Sequence, residues 1–262
     1  MSFWTTWTAE LCKTATLPAS WVAVAVTLLG SAGITALNAF AARATLGSGA
    51  QQDGELFSAF GTAYAAVPLG TVGAVVLGVV VMSSEYTANS TDAGSGRQIT
   101  TTLAAVPRRP RLLAAKALTV VLLVMATAAV TIPTGVGVAR LIIGDGPPET
   151  VTLGDAVVRS LGATLYWTLT GLIALAVTVL ARSGIIPLVV LITNSSLVSF
   201  SLLLTNVTPL AHWLPDMAGR RLFGGLSTVE GGLDAAPGAL VMAAWTVGLL
   251  AVAGVVFSRR DA

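Results

Sequence analysis

The chain has 262 residues, of which 55% are hydrophobic and only 10% charged, and its formal net charge is +2. So small a charged fraction cannot clothe a soluble globule of this length, which places the chain in the membrane class; no nucleic-acid partner is expected. The single cysteine, Cys12, excludes an internal disulfide and a thiolate-pair metal site.

In chain order, the first segment is residues 1–17. On a helical projection Phe3, Trp4, Trp7 and Leu11 fall within about 100° of one another, with Thr6, Glu10 and Lys13 on the far side. This predicts an interfacial helix with its tryptophans at headgroup level. Glu10 and Lys13 interrupt the apolar run, so a secretory signal is not expected. Six stretches without Asp, Glu, Lys or Arg follow: Thr14 to Ala42, Leu56 to Ser84, Ala117 to Ala139, Ser160 to Ala181, Ser183 to Pro215 and Ala235 to Ser258. A helix crosses about 30 Å of hydrocarbon with about 20 residues, and an ionised side chain at its centre costs on the order of 3 kcal/mol. The expected spans are about 18–40, 62–83, 115–140, 160–181, 184–206 and 237–257. Residues 1–262 thus read as one all-α polytopic membrane domain with six transmembrane helices.

Six spans put both termini on one side. One set of loops carries Lys13, Arg97, Arg108, Arg109, Arg111, Lys116, Arg182, Arg259 and Arg260; the other carries only Arg43, Arg140, Arg159, Arg220 and Arg221. The positive-inside rule makes the first set, and both termini, cytoplasmic. The acidic residues Asp53, Glu55, Asp145, Glu149, Asp155, Asp216, Glu230 and Asp234 fall on the other side, and 207–236 reads as an external loop. The long cytoplasmic connection is 85–114. Within it Ala88 to Gly96 has linker composition, whereas Gln98 to Val106 is uncharged and suits a short helix ended by Pro107. Arg108, Arg109, Arg111 and Lys116 then form a basic cluster at the mouth of the third span, each charge worth about 1 kcal/mol near an anionic leaflet.

Catalytic chemistry is sparse. Enzymes and ion-coupled transporters of this architecture keep ionisable groups at membrane depth, and the expected span cores hold none. A Ser183 and His212 dyad would suggest an intramembrane serine hydrolase, but the expected topology separates the two by about 30 Å and leaves His212 as a loop residue beside Trp213. No metal-ligand cluster occurs, and neither Lys13 nor Lys116 lies in a phosphate-cradling loop. If the chain performs active transport, another polypeptide must supply the energy through the 85–114 connection.

At that connection Ser84-Glu85-Tyr86, then Thr101-Thr102-Leu103-Ala104-Ala105-Val106-Pro107-Arg108-Arg109 and Leu113-Ala114-Ala115-Lys116, resemble the signature of actinobacterial type-2 ABC transporter permeases. Ala9-Glu10-Leu11 with Lys13 is similar to the family's amphipathic N-terminal segment, and Leu214-Pro215-Asp216-Met217-Ala218-Gly219 to its external motif before the last span. The resemblance implies a six-helix permease in the bacterial cytoplasmic membrane, paired with a second copy or homologue. Two cytoplasmic ABC ATPase subunits would drive it and carry the ATP and Mg, while this chain binds no cofactor. It also implies a short cytoplasmic coupling helix, with the ATPase contact at Glu85, Tyr86, Thr102, Leu103, Arg108 and Arg109. The spacing from Glu85 to Thr101 is longer than the family pattern, as if Asn89 to Gly96 were inserted.

In the fifth span Asn194, Ser201 and Thr205 fall within about 40°, and Ser195, Ser199 and Asn206 form an adjacent stripe. Such groups serve either helix contacts, at about 0.6 kcal/mol per hydrogen bond, or a substrate route; the resemblance implies a route along the second and fifth spans, lined by Asn194, Ser195, Ser199, Ser201 and Thr205. Gly70, Ala74 and Gly78 repeat at four-residue spacing and allow close helix approach. The expected function is the permease of an ATP-driven exporter of hydrophobic or amphipathic compounds. The alternatives are a membrane anchoring protein that moves nothing and an intramembrane serine hydrolase.

Overall fold

The computed structural model describes residues 2–47, 57–87, 98–106, 108–144, 151–196, 200–227 and 231–259. Among these every regular element is helical. Helix α1 (Phe3–Thr16) starts where the Ser2 hydroxyl accepts the Thr5 amide, and ends because Leu17 is extended ahead of Pro18. Helix α2 (Pro18–Gly47) turns Ser20, Ala23, Thr27, Ser31, Thr35, Ala39 and Ala42 inward, while Trp21, Val22, Val26, Leu29, Leu37 and Phe40 face out. This is the reverse of a soluble helix. In lipid no free energy is gained by hiding leucine from a hydrocarbon solvent, so close approach of small residues decides which face packs.

Helix α3 (Ala59–Tyr64), a tight turn at Val67–Leu69, helix α4 (Gly70–Ser83) and a 3₁₀ turn at Ser84–Tyr86 make the second apolar column. After it come α5 (Gln98–Ala105), α6 (Arg109–Ile143) and α7 (Leu153–Ala181). Helix α4 packs closely along α7. A Cβ on Gly78 would lie 2.1 Å from the Gly171 carbonyl oxygen of α7, and one on Gly70 would lie 1.9 Å from the Trp167 ring, so both glycines are required by backbone or indole contact.

Among the described residues five helical stretches are long and apolar enough to cross a membrane: Pro18–Gly47, Ala59–Tyr86, Arg109–Ile143, Leu153–Ala181 and Ala235–Arg259, the last being α11. Of the stretch expected to span 184–206, the described residues form α8 (Ile185–Ser196) and α9 (Phe200–Thr205), and 197–199 lie outside them. With 12 residues α8 is about 18 Å long, short of the roughly 30 Å of a bilayer core.

Residues 207–227, expected as an external loop, are wedged between α7 and α11. They form a turn at Pro209–Trp213, α10 (Pro215–Ala218) and the irregular turns Arg220–Ser227. Ideal Cβ atoms would come 2.6 Å from Tyr166 and Met242 at Gly219, 2.0 Å from the Ala218 carbonyl oxygen at Gly238 and 2.3 Å from the Leu222 carbonyl oxygen at Gly162.

Three bonds fix the ends of the bundle. Lys116 near the start of α6 reaches Glu10 of α1, and Arg109 Nη1 donates to the Phe257 carbonyl at the end of α11 at 2.9 Å. Both described termini therefore lie at the α6 start. At the opposite end Arg43 Nη1 donates to the Ile142 carbonyl at 2.9 Å.

Candidate functional site

The expected span cores hold no ionisable group, but outside them, where α1, α4 and the start of α6 meet, the structure buries a cluster of such groups. Lys116 is 1% exposed, Glu85 0% and Glu10 5%. The reason is that α6 begins at Arg109, so Lys116 stands two turns inside a helix packed against α1 and α4. Its Nζ donates to Glu10 Oε2 at 2.6 Å, Glu85 Oε1 at 2.8 Å and the Val81 carbonyl at 3.2 Å. An ammonium has three protons, and all three are used. The Val81 carbonyl belongs to the last turn of α4, where the negative end of the helix dipole also favours a cation.

Glu85 is the other centre of the cluster. One of its oxygens accepts from Lys116 and from Lys13 of α1; the other accepts from Thr102 Oγ1 of α5 at 2.9 Å. Glu10 and Lys13 lie three residues apart on the polar face of α1, and that face, with Thr6 and Thr14 buried beside Glu10, is the one that packs inward. On the aromatic face Trp4 is 64% exposed, whereas Phe3, Trp7 and Leu11 are half-buried. Two carboxylates and two ammoniums make the cluster neutral. Neutrality and full hydrogen bonding make its burial tolerable, since a lone ion there would cost several kcal/mol.

Helix α5 lies within the stretch expected to be a coupling helix. The apparent insertion, 89–96, lies outside the described residues, but a backbone hydrogen bond of 3.1 Å from the Gln98 amide to the Thr87 carbonyl joins its two flanks. The extra length therefore does not displace α5 from Glu85. Ile99 is buried and Leu103 packs against the core with Tyr86, whereas Thr100, Thr101, Ala104 and Ala105 are exposed. Of the expected contact residues, Glu85 and Thr102 are joined in the cluster; Leu103 and Tyr86 face the protein, Arg108 is exposed and Arg109 holds the end of α11.

The expected pathway residues divide. Asn194 Nδ2 donates to Asp216 Oδ2 at 3.0 Å, and its Oδ1 lies 3.5 Å from the Ser201 hydroxyl. Thr205 bonds its own helix through the Leu202 carbonyl. Ser199 and the side chain of Ser195 lie outside the described residues. The Asp216 carbonyl accepts from the Tyr166 hydroxyl of α7 at 3.3 Å. An apolar cavity of about 390 Å³ adjoins this contact, lined by Phe200, Ser201, Leu203, Leu204, Val207 and Leu214.

Ser183 and His212 are not brought together. The Ser183 hydroxyl accepts the Ile185 amide, next to Gly184 at the Ser83 end of α4, while the His212 ring faces Gly231. Among the described residues no group of three or more His, Cys, Asp or Glu could hold a metal.

The fold and this site define an all-helical membrane protein with a neutral, buried ion cluster at the end of the bundle that carries both described termini. No family model matches the chain, and no curated protein matches it.

Proposed function

We propose that the chain is the membrane-spanning subunit of an exporter in the bacterial cytoplasmic membrane, one of two permease copies driven by a separate pair of ATPase subunits that hold ATP and Mg. The observation that carries this reading is the Glu85 and Lys116 cluster, which ties α1, the end of α4, α5 and the start of α6 into one unit. A push on α5 from outside is transmitted through Thr102 and Glu85 to two long helices. The exposed face of α5, Thr101, Ala104 and Ala105, is free of bulky side chains and suits a docking partner.

The cluster end is the cytoplasmic one in this reading, because Lys13, Arg108, Arg109, Arg111, Lys116, Arg182 and Arg259 gather there. The chain leaves α7 at that end and enters α11 at the other, so residues 182–234 must make a sixth crossing. We assign it to α8 and α9 followed by the wedge at 209–227. The open apolar hollow lined by Phe200, Leu203, Leu204, Val207 and Leu214 beside this crossing suits a hydrophobic or amphipathic cargo.

The test is purification in mild detergent from the native host. An ATPase recovered in equal amount, with turnover raised by the permease and lost in Ala104→Arg at unchanged permease yield, supports the reading. Recovery of no ATPase under conditions that keep the bundle folded would leave the anchoring protein as the better account.

A further inference from the structure

We propose that a water molecule is bound between α2 and α6, held by the hydroxyls of Ser31, Thr35 and Thr131. All three side chains are more than nine-tenths buried, and none of their oxygens meets a hydrogen-bond partner among the described residues. Their neighbours on the same helices behave differently. Thr27 and Thr45 of α2 and Thr119, Thr127 and Thr134 of α6 each donate to the carbonyl four residues earlier, the ordinary outlet for a hydroxyl inside a helix. Ser31, Thr35 and Thr131 forgo that bond, and leaving a buried hydroxyl without a partner costs more than a made bond contributes.

The three hydroxyls share one place in the bundle. A Cβ on Gly135 of α6 would lie 3.5 Å from Thr35 Oγ1 and 3.7 Å from the Ala63 Cβ of α3, so Thr35 faces Gly135. Farther along, Arg43 donates to the Ile142 carbonyl. Residue numbers across the seam differ by 100 at the first contact and by 99 at the second, so the two helices run parallel and in step. Ser31 and Thr131, one turn before Thr35 and Gly135, therefore stand opposite each other about 6 Å away along the axes. Gly135 supplies room, because its missing side chain leaves space for about one non-hydrogen atom beside the Thr35 hydroxyl. Pro133 lies in the same turn and has no N–H, which leaves the Ala129 carbonyl without its helical donor. Proline is tolerated inside a span where hydroxyls and ordered water make up such losses.

The chemistry of the walls selects water. A hydroxyl offers one donor and two acceptor positions, and a buried water makes about three hydrogen bonds, so a single water can serve three hydroxyls at once. An ion is disfavoured here. The nearest charged residues on the two helices are Arg43, eight residues after Thr35, and Arg140, nine after Thr131; both are cations, and α3 carries no charge. Nothing at this level would offset a bound cation. An anion would exchange its hydration for three neutral hydroxyls in an apolar bundle, which costs far more than they return.

The test uses the full chain in detergent, examined by thermal melting and by an experimental density map that resolves ordered water. We expect a density peak within hydrogen-bonding distance of at least two of the three hydroxyls, kept in Thr35→Ser and lost in Thr35→Val. Thr35→Val and Thr131→Val should each lower the melting midpoint by roughly 2–4 °C, the effect of about one hydrogen bond, and T35S should melt above T35V. Dry hydroxyls would give the opposite sign, because each valine would then remove an unpaired polar group from an apolar seam. Both valine variants melting at or above the wild type, with no density peak between the helices, would overturn the proposal. A midpoint higher in sodium chloride than in choline chloride at equal ionic strength, with that difference lost in T35V, would assign the hydroxyls to a cation and overturn it as well.

Discussion

Substituting Lys116 by methionine removes the ammonium while keeping most of the stem's packing. Three hydrogen bonds go with it, at 2.6, 2.8 and 3.2 Å. Glu85 keeps Lys13 and Thr102, but no other side chain is bonded to the Glu10 carboxylate among the described residues, so a buried charge is left unpaired. Breaking a buried ion pair by removing one partner costs about 3–5 kcal/mol. For a chain of this size each kcal/mol moves a melting midpoint by roughly 2–4 °C, so the expected drop is about 10 °C. The double variant Glu10→Gln/Lys116→Met removes one charge of each sign and leaves Glu85 facing Lys13. It should regain most of the loss and melt within about 4 °C of the wild type, because deleting a whole buried pair is often close to neutral. The assay is the midpoint of the monodisperse peak in detergent after stepwise heating. The reasoning fails if K116M melts with the wild type, or if the double variant is no better than K116M.

Other perturbations probe separate parts of the fold. Gly78→Ala drives a Cβ to 2.1 Å from the Gly171 carbonyl oxygen and should cost about 1–3 kcal/mol as α4 and α7 part, whereas Gly137→Ala, whose Cβ meets nothing within 4 Å, should be silent in the same melt. Asn194→Ala deletes a hydrogen bond to a carboxylate and should cost roughly 1.5–3 kcal/mol; an unchanged midpoint would mean that α8 is not held by Asp216. In a Cys12→Ser background, a membrane-impermeant thiol reagent should label Arg259→Cys only from the cytoplasmic side and Leu153→Cys only from the opposite side; labelling of both from one side would refute the proposed crossing by 182–234.

What could be read from the sequence was set by range. The charge-free stretches identified five helices of spanning length because the cost of an ion in hydrocarbon acts residue by residue and leaves its mark in composition. The ion cluster was hidden by distance: Lys116 is 106 residues from Glu10 and 31 from Glu85. A local signal did exist in the projection of α1, which placed Glu10 and Lys13 on one face. A polar face carrying both signs beside a neighbouring Glu and Lys implies a protein partner, whereas solvent alone would ask nothing of the charge pattern. The inward turn of Leu103 was likewise beyond the sequence, since an eight-residue helix has too few turns to show which side its neighbours will cover.

The arrangement around Glu85 bears on how a neutral cluster could serve motion as well as stability. Three donors reach that one carboxylate from three elements: Lys13 from α1, Lys116 from α6 and Thr102 from α5. Any displacement of α5 relative to the bundle must exchange or lose one of them. In a dry site a half-broken bond is costly, so intermediate positions are disfavoured and the set of donors changes between discrete arrangements. A hydrophobic contact at the same place would yield gradually and would pass on less of the push. Under the proposed function, this is the physical case for ions here: they make the junction between α5 and the long helices switch between positions instead of bending through them.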